Sequence, residues 1–315
     1  MKTVNKNELN ASLPVRIDLF LCSSSFEERC FSSVQSISKE RIQSSLIFYN
    51  HDQKDEITTN ALKLNALLPN SSLVQIHSND PVFTLNNIFK SIQIEEDRDI
   101  NIVLDTTTFT HESLLILFKV INLKKSKKTN LFLIYNGAKE YSTNVHEPER
   151  KWLSKGVGNV RTIMGYSGFI NPAQDNHLIV LFGFEVERTL RVIDIFEPNT
   201  ISIGVAEQAY SINDEHYNIN KQRHEDLKLL RPKLTDFSIS LLNPLDTARQ
   251  INEEIEKYKN CNIIIAPMNN KFSTIGSGIV AEENDNIQIC YIPANIYNKD
   301  GYSTPSENFY VLKLF

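Results

Sequence analysis

Side chains able to bind an anion collect directly after two apolar runs in the first half of the sequence. The first group comprises Ser23, Ser24, Ser25, Glu28 and Arg29. In an open parallel sheet, ligands bind beyond the carboxyl ends of the strands, and the N-terminus of the following helix favours an anion. Small hydroxyls leave room for such a ligand, and Arg29 can hold it with two parallel hydrogen bonds. This group therefore predicts one part of an anion site.

A structural role is favoured for some of the same residues. Ser25 and Glu28 have the spacing of a capping box, in which each side chain satisfies a backbone N–H at the start of a helix. Arg29 would then pair with a neighbouring side chain. Because Arg29 has a counterpart, Arg188, in a repeated motif, a role at the site or between two lobes is favoured for both arginines.

The second group is denser and consists of Asp105, Thr106, Thr107, Thr108, Thr110, His111 and Glu112. One serine or threonine is enough to cap a helix, so the additional hydroxyls indicate a ligand. In the second half of the chain, Asn269, Asn270 and Lys271 follow an apolar run in the same way. A lysine beside a helix N-terminus is electrostatically unfavourable, so Lys271 indicates a bound anion.

His111 and Glu112 are the candidates for proton transfer. No second histidine stands at a helical spacing from His111, so hydrogen bonding to a ligand explains His111 as well as general-base catalysis does. The other six histidines lack the spacing of metal ligands. The sequence therefore predicts no metal site and no cofactor.

Short apolar runs alternate with longer helical patterns along the chain, which predicts an α/β fold with mostly parallel sheets. Helices are expected, among others, over residues 26–41 and 214–230. Glycines and prolines collected between about 142 and 176 indicate a connection between two Rossmann-like lobes. The predicted division is an N-terminal tail over 1–15, lobe 1 over 16–145, a connecting segment over 146–176 and lobe 2 over 177–315.

Three motifs recur in the same order in the two predicted lobes. They are FLCSSSFEERC (20–30) with VLFGFEVERTL (180–190), NIVLDTTTFTHES (101–113) with NIIIAPMNNKFST (262–274), and LIYNGAKEYS (133–142) with CYIPANIY (290–297). The general likeness of Rossmann-like strands accounts for the apolar residues but not for the repeated Glu-Arg pair or the repeated tyrosines. The sequence therefore predicts an internal duplication.

Composition excludes several classes of protein. All 10 glycines lie between Gly137 and Gly301. The first 136 residues therefore lack a GxGxxG fingerprint and a Walker A loop, both of which need glycine beside a phosphate, and neither pattern occurs later. A net charge of −5 disfavours nucleic acid as a partner, although a contact remains open. Four scattered cysteines, a polar N-terminus and the lack of long apolar runs predict a cytoplasmic protein without disulfides or membrane spans.

The motif Asp-Thr-Thr-Thr-Phe-Thr (105–110) resembles the D-x-T-G-G-T-K element that follows the fourth strand of CARF domains and contacts a cyclic oligoadenylate. The segment Pro-Met-Asn-Asn-Lys (267–271) looks like a variant of it. Two CARF-like lobes in one chain are similar to SAVED domains, which sense cyclic nucleotides in bacterial anti-phage systems. The resemblance implies a nucleotide-type anionic ligand, such as a cyclic oligonucleotide, held by residues 23–25, 106–110 and 269–271.

Three hypotheses about function follow. The leading one is a non-catalytic nucleotide-sensing or scaffold subunit of a bacterial anti-phage complex, which acts with a separate effector protein because the chain itself shows no effector motif. The second is an enzyme that processes a nucleotide or nucleic acid with Glu28, Asp105, His111 and Glu112. The third is a pure protein-interaction subunit, in which the polar motifs hold the lobes together.

Overall fold

The chain forms two α/β units, and the predicted fold class of mostly parallel sheets is confirmed. A computed structural model describes residues 1–52, 55–95, 97–147 and 150–315. Unit 1 comprises Met1–Lys139 and Ser303–Phe315, and unit 2 comprises Glu140–Tyr302. Each unit has its own sheet, its own helices and its own apolar core.

Unit 1 is built on a seven-stranded sheet. Its strands are β1 (Lys2–Asn5), β2 (Leu19–Ser23), β3 (Ser45–Asn50), β4 (Ser71–Ile76), β5 (Ile100–Asp105), β6 (Thr129–Tyr141) and β15 (Ser303–Lys313). They lie in the order β1-β15-β6-β5-β2-β3-β4. Strands β2 to β6 pair in parallel, whereas β1 is antiparallel to β15. The helices are α1 (Leu9–Ser12), α2 (Ser32–Ser36), α3 (Asp55–Leu67), α4 (Pro81–Ser91) and α5 (His111–Lys124).

Unit 2 contains a six-stranded sheet and a separate antiparallel pair. Its strands are β7 (Ser154–Val157), β8 (Arg161–Ser167), β9 (Asp175–Leu181), β10 (Thr200–Val205), β11 (Thr235–Ser238), β12 (Cys261–Pro267), β13 (Ile287–Tyr291) and β14 (Ala294–Tyr297). The six-stranded sheet has the order β11-β10-β9-β12-β13-β8, and β14 pairs with β7. The helices are α6 (Val186–Phe196), α7 (Asp214–Leu230), α8 (Pro244–Ile255) and α9 (Lys271–Glu283).

The five parallel strands follow the same order in both units. In unit 1 they run β6-β5-β2-β3-β4, and in unit 2 they run β13-β12-β9-β10-β11. In each case the strand order reverses between the first and the fourth parallel strands, which are β2 and β5 in unit 1 and β9 and β12 in unit 2. Because this order is common to Rossmann-like sheets, it does not establish an internal duplication, which stays a prediction.

The ends of the chain are arranged differently from the predicted division. The expected N-terminal tail contributes β1, and β1 pairs with β15 from the C-terminus, so Ser303–Phe315 belongs to unit 1 rather than to a second lobe. The expected connecting segment contains β7 and β8, with residues 148 and 149 outside the described part of the chain. These strands are short or polar, so they lack the apolar run by which a strand is recognised in sequence.

The helix predicted over residues 26–41 is broken into short pieces. It consists of a 3₁₀ turn at Glu28–Phe31, α2 and a second 3₁₀ turn at Lys39–Arg41. Serines favour local hydrogen bonds to the backbone over helix propagation, and the Ser36 hydroxyl donates to the Ser32 carbonyl. In contrast, α7 has the predicted bounds.

A neutral histidine is buried in the core of unit 2. His216 on α7 packs against the rings of Phe184 and Tyr141, with ring centroids 4.8 and 5.8 Å away. Burial lowers the pKa of His216 from 6.5 to about 4. The folded protein therefore takes up this proton only near pH 4, whereas the unfolded chain takes it up near pH 6.5.

We expect His216 to reduce the free energy of unfolding progressively as pH falls from 6.5 to 4, by up to about 3 kcal/mol. Urea unfolding of wild type and His216→Phe at several pH values measures this contribution. The variant should lose that part of the pH dependence. The exposed His146 provides the control, since His146→Phe should keep the wild-type slope. Equal slopes for wild type and His216→Phe would contradict the prediction.

Candidate functional site

The predicted ligand residues of unit 1 lie at the carboxyl edge of the sheet, where the strand order reverses. Ser23, Ser24 and Ser25 are buried after β2. The Ser24 hydroxyl donates to the Ile57 carbonyl at 2.6 Å, and Ser25 Oγ accepts the N–H of Glu27 at 3.2 Å. Ser25 therefore forms a local turn, and the capping box predicted with Glu28 is not the bond observed.

The threonines after β5 form hydrogen bonds to neighbouring segments of unit 1. The Thr106 hydroxyl donates to the Ile134 carbonyl at 3.0 Å, and the Thr107 hydroxyl accepts the N–H of Asn136 at 3.0 Å. The Thr108 hydroxyl donates to the Ser23 carbonyl at 2.7 Å, which ties the loop after β5 to the end of β2. Thr110 caps α5 by accepting the N–H of Ser113 at 3.1 Å. The hydroxyls predicted for a ligand thus make contacts within unit 1.

The candidate catalytic residues of unit 1 are dispersed. Asp105 is buried, accepts the N–H of Thr107 at 2.9 Å and the hydroxyl of Ser33, and has its pKa raised chiefly by burial. Glu112 is buried in the first turn of α5, and His111 is half-buried at its start. Glu28 is exposed and lines a cavity of about 550 Å³ that none of the other three lines. The described part of unit 1 does not gather these four side chains around one cavity.

Arg29 is almost fully buried and joins three segments of unit 1. Its guanidinium forms an ion pair with Glu27 at 2.5 Å, and its Nε also lies 2.9 Å from the Ser303 hydroxyl at the start of β15. Its Nη1 donates to the Asn136 carbonyl on β6 at 3.0 Å. Ser303 in turn donates to Glu27 at 2.7 Å. Arg29 is therefore held inside a closed network.

Arg188 occupies the equivalent place in unit 2. Its Nη2 donates to the carbonyl of Ile292, just after β13, and its Nη1 lies 3.7 Å from Glu185 Oε2. The Ser154 hydroxyl donates to the other carboxylate oxygen of Glu185 at 2.9 Å. However, Arg188 Nε is buried without a hydrogen-bond partner among the described residues. The network around Arg188 is thus incomplete where that around Arg29 is closed.

The crevice between β9 and β12 in unit 2 is filled by protein atoms. The Asn269 side-chain amide donates to the Phe182 carbonyl, as Thr108 does to Ser23 in unit 1. A Cβ atom on Gly183 would lie 2.1 Å from the Met268 carbonyl oxygen, so the two loops are in close contact. Beside Gly183, the described loops therefore leave no space even for one additional side-chain carbon.

Lys271 begins α9, which is capped by the protein itself. Asn270 Oδ1 accepts the N–H of Ser273 at 2.9 Å, and the Asn270 amide donates to the Leu241 carbonyl at 2.6 Å. Lys271 itself is half-buried at the first position of the helix. No anion is needed to cap α9, so the electrostatic argument for Lys271 loses its basis.

A cavity that the sequence did not point to lies at the carboxyl ends of β10 and β11, beneath α7. Its volume is about 310 Å³. Phe182, Tyr217 and Phe237 form aromatic walls, and Glu207 stands just after β10. In Rossmann-like sheets an acidic residue at this place hydrogen-bonds ribose hydroxyls, which is the one feature of the sequence that could have indicated the cavity.

The polar lining of this cavity is unusual in two ways. Asn220 Oδ1 and Ser238 Oγ are buried and have no hydrogen-bond partner among the described residues. His224 Nε2 lies 2.9 Å from Asp236 Oδ1, and the Lys228 ammonium contacts the other oxygen of Asp236. The cavity therefore combines unsatisfied hydrogen-bonding atoms with a histidine–carboxylate pair.

Comparison with known proteins identifies no family. No family model matches the chain, and no curated protein matches it. A SAM-dependent methyltransferase from Leishmania major is a similar solved structure, with 10% identity over 43% of this chain and 49% of that chain and a TM-score of 0.24. Phosphoethanolamine N-methyltransferase 1 from Haemonchus contortus, in complex with phosphoethanolamine and S-adenosylhomocysteine, has 8% identity over 83% and 72% and a TM-score of 0.27. The chain spans about half the length of the first of these enzymes.

These structures correct the leading hypothesis of a non-catalytic nucleotide-sensing or scaffold subunit, because both are structures of enzymes and neither is a sensor. The physical reason is that a Rossmann-like sheet serves both classes, so the lack of a recognisable catalytic motif does not indicate a sensor. Likenesses this distant do not assign methyl transfer to this chain. The resemblance to CARF and SAVED domains, the anti-phage setting and the effector partner stay predictions.

One further expectation concerns membranes. Among the described residues, no helix combines the length and the apolar character needed to cross a bilayer.

The Glu27–Arg29 ion pair leads to a stability prediction. Breaking a buried pair leaves one uncompensated charge, so Arg29→Met alone should lower the free energy of unfolding by about 3–5 kcal/mol. The double variant Glu27→Leu/Arg29→Met removes both charges and should recover at least half of that loss. Urea unfolding of the two variants and wild type measures both values. A double variant less stable than Arg29→Met would contradict the prediction.

Proposed function

We propose that the protein is an enzyme that binds a nucleoside-type small molecule in the cavity of unit 2, with His224 and Asp236 as its proton-transfer pair. The observation that carries this proposal is that buried, unpartnered Asn220 Oδ1 and Ser238 Oγ line the same cavity as the pair. An unsatisfied buried polar atom costs about 1–3 kcal/mol, so such atoms are rare. A ligand that donates to Asn220 and hydrogen-bonds Ser238 would remove that cost.

The walls of the cavity suit a flat ring joined to a sugar. Aromatic side chains such as Tyr217 and Phe237 offer stacking surfaces, which are worth about 1–3 kcal/mol per base in nucleic-acid complexes. Glu207, after β10, stands where a carboxylate accepts hydrogen bonds from ribose hydroxyls. A nucleoside presents both features within one small molecule.

The charges of the cavity favour a nucleoside over a polyphosphate. Glu207 and Asp236 line the cavity together with Lys221, and Lys228, outside the lining, pairs with Asp236. No glycine stands among the described residues that line this cavity, and Gly183 lies against Met268 where a Rossmann-like sheet usually holds a pyrophosphate. A ligand with an uncharged body therefore fits the cavity best.

The histidine–carboxylate pair supports proton transfer. Since Asp236 lies 2.9 Å from His224 Nε2, the carboxylate favours the tautomer in which Nε2 carries the proton and Nδ1 accepts one. A histidine in that state can act as general base toward a ligand hydroxyl or a water molecule. The cavity thus supplies both a binding surface and a base.

A substitution at Asn220 tests ligand binding separately from folding. Asn220→Leu removes the unpartnered oxygen together with the amide that lies 3.5 Å from His216 Nδ1. The two effects on stability oppose each other, so the melting temperature should change little, while the affinity for a nucleoside should decrease about tenfold, the equivalent of one hydrogen bond. Isothermal titration calorimetry with adenosine, guanosine, cytidine and uridine measures the affinities, and S-adenosylhomocysteine serves as a nucleoside with a thioether tail.

Asn218→Leu is the matched control, because Asn218 lies on the same helix but is exposed and does not line the cavity. This variant should bind as wild type does. The proposal fails if no nucleoside binds, or if the two variants bind equally well.

His224 tests the catalytic part of the proposal. The nucleoside that binds is incubated with the protein, and products are followed by liquid chromatography and mass spectrometry. His224→Gln should lower turnover by about 10²–10⁴-fold, the usual contribution of a general base, with little change in affinity. His146→Gln serves as the control. Formation of no product by wild type, or equal turnover by His224→Gln, would overturn the catalytic assignment.

A further inference from the structure

We infer that unit 2 holds a second site, which binds a phosphate group at the N-terminus of α6. The site is a cavity of about 280 Å³, lined by Trp152, Lys155, Arg188 and Arg223 among others. It shares no lining residue with the nucleoside cavity. The inference therefore does not rest on the function proposed above.

Arg188 provides the first reason. It is 8% exposed, and in the part of the chain that the structure describes its Nε–H lacks a partner although its other nitrogens contact Ile292 and Glu185. A guanidinium presents its donors as a rigid fork that matches the oxygens of a phosphate. An anion could satisfy this donor, since Arg188 lines the cavity.

Arg29, which follows the first parallel strand of unit 1, has an Nε–H that is hydrogen-bonded by other side chains of the protein. Arg29 Nε donates to Glu27 Oε2 and to the Ser303 hydroxyl, both at 2.9 Å. In unit 2, the Ser154 hydroxyl is bonded to Glu185 Oε1, and Arg188 Nε has no hydrogen-bond partner among the described residues. In unit 1 two side chains accept or share the Nε–H of the arginine. In the described part of unit 2 the Nε–H has no such partner, and the arginine lines a cavity.

The N-terminus of α6 provides an independent reason. Glu185 occupies the N-cap position, yet its side chain makes no capping hydrogen bond to the helix. The free N–H groups and the dipole of an 11-residue helix attract negative charge at this end. Arg188, which lies in the first turn, adds a formal charge at the same place.

The charges around the cavity favour an anion. Four cationic side chains line it, Lys151, Lys155, Arg188 and Arg223, against the two carboxylates of Glu185 and Glu187. Both carboxylates have partners, since Ser154 donates to Glu185 and the N–H of Gly156 donates to Glu187 at 3.2 Å. The lining thus carries two more cations than carboxylates, and two of its cations, Lys151 and Arg223, also pair with carboxylates outside the lining.

Some of the cations are engaged as well. Lys151 is buried and pairs with Glu215 at 2.5 Å and Glu140 at 3.2 Å. Arg223 donates to the Lys151 carbonyl at 2.9 Å. Lys155 is exposed and lies 4.3 Å above the Trp152 ring, so it can move onto a ligand without losing a buried ion pair. Arg188 and Lys155 are therefore the residues assigned to the phosphate.

Trp152 allows a direct test, because it is the only tryptophan in the sequence and lines the cavity. Sodium phosphate, ribose 5-phosphate and phenyl phosphate are titrated at constant ionic strength while tryptophan fluorescence is recorded. We expect a saturable change that sodium chloride does not reproduce. The compound that binds most tightly shows whether the site takes free phosphate or a phosphate ester.

Three variants identify the residues responsible. Arg188→Lys keeps the charge but loses the Nε–H, and it should weaken binding at least tenfold; Lys155→Gln should weaken it about threefold, and Glu187→Gln should strengthen it about threefold. Lys259→Gln removes an exposed cation of unit 2 outside the cavity and should change nothing. Calorimetry repeats each measurement independently of fluorescence, and circular dichroism reports whether each variant is folded.

The inference is overturned if no phosphate compound gives a saturable change, or if Arg188→Lys binds as wild type does. Should Arg188→Lys fail to fold, Lys155→Gln and Glu187→Gln decide the question, because both residues lie at the rim and are not needed for the core. Equal affinity of these two variants and wild type would then refute the site. Adenosine binding should be the same in all of them, which separates this test from that of the nucleoside cavity.

Discussion

The structure of both units depends on one contact, the hydrogen bond that ties the loop after the first parallel strand to the loop after the fourth. In unit 1 the Thr108 hydroxyl reaches the Ser23 carbonyl, and in unit 2 the Asn269 amide reaches the Phe182 carbonyl. The strand order reverses at this point, so an open sheet would leave a crevice for a ligand. The bond satisfies a backbone carbonyl in each unit and brings the two loops together across this crevice.

The two buried arginines have similar local surroundings but differ in how many of their N–H groups are hydrogen-bonded by the protein. Arg29 donates to a carbonyl on the fifth parallel strand of unit 1, and Arg188 donates to a carbonyl just after the fifth parallel strand of unit 2. Arg29 is fully enclosed because Ser303 and Glu27 meet its Nε, whereas in unit 2 the hydroxyl of Ser154 bonds only to Glu185. A small difference in side-chain placement thus decides whether the guanidinium of the ion pair is fully hydrogen-bonded, as in Arg29, or has an unpaired Nε among the described residues, as in Arg188.

Among the described residues of unit 2, three of the buried polar atoms without a hydrogen-bond partner line cavities, whereas His177 Nε2 lies outside both linings. Asn220 and Ser238 line one cavity, and Arg188 lines the other. Each such atom lowers the stability of the unliganded protein, and native proteins retain this kind of local inconsistency mainly at functional sites. The three atoms that line cavities, more than the resemblance of the sheet to any known fold, are the reason for proposing binding sites in unit 2.

The sequence by itself determined the class of fold and most of its elements. Continuous apolar runs and helical periodicity are local properties, so β5 and α7 have the predicted bounds, and the clusters at 105–112 and 269–271 were correctly placed at strand ends. Tertiary structure decided which polar groups find a hydrogen-bond partner within the protein, because those partners come from residues distant in the chain. Thr106 is enclosed by a carbonyl 28 residues away, and the nucleoside cavity assembles side chains from β10, α7 and β11, none of which forms a motif alone.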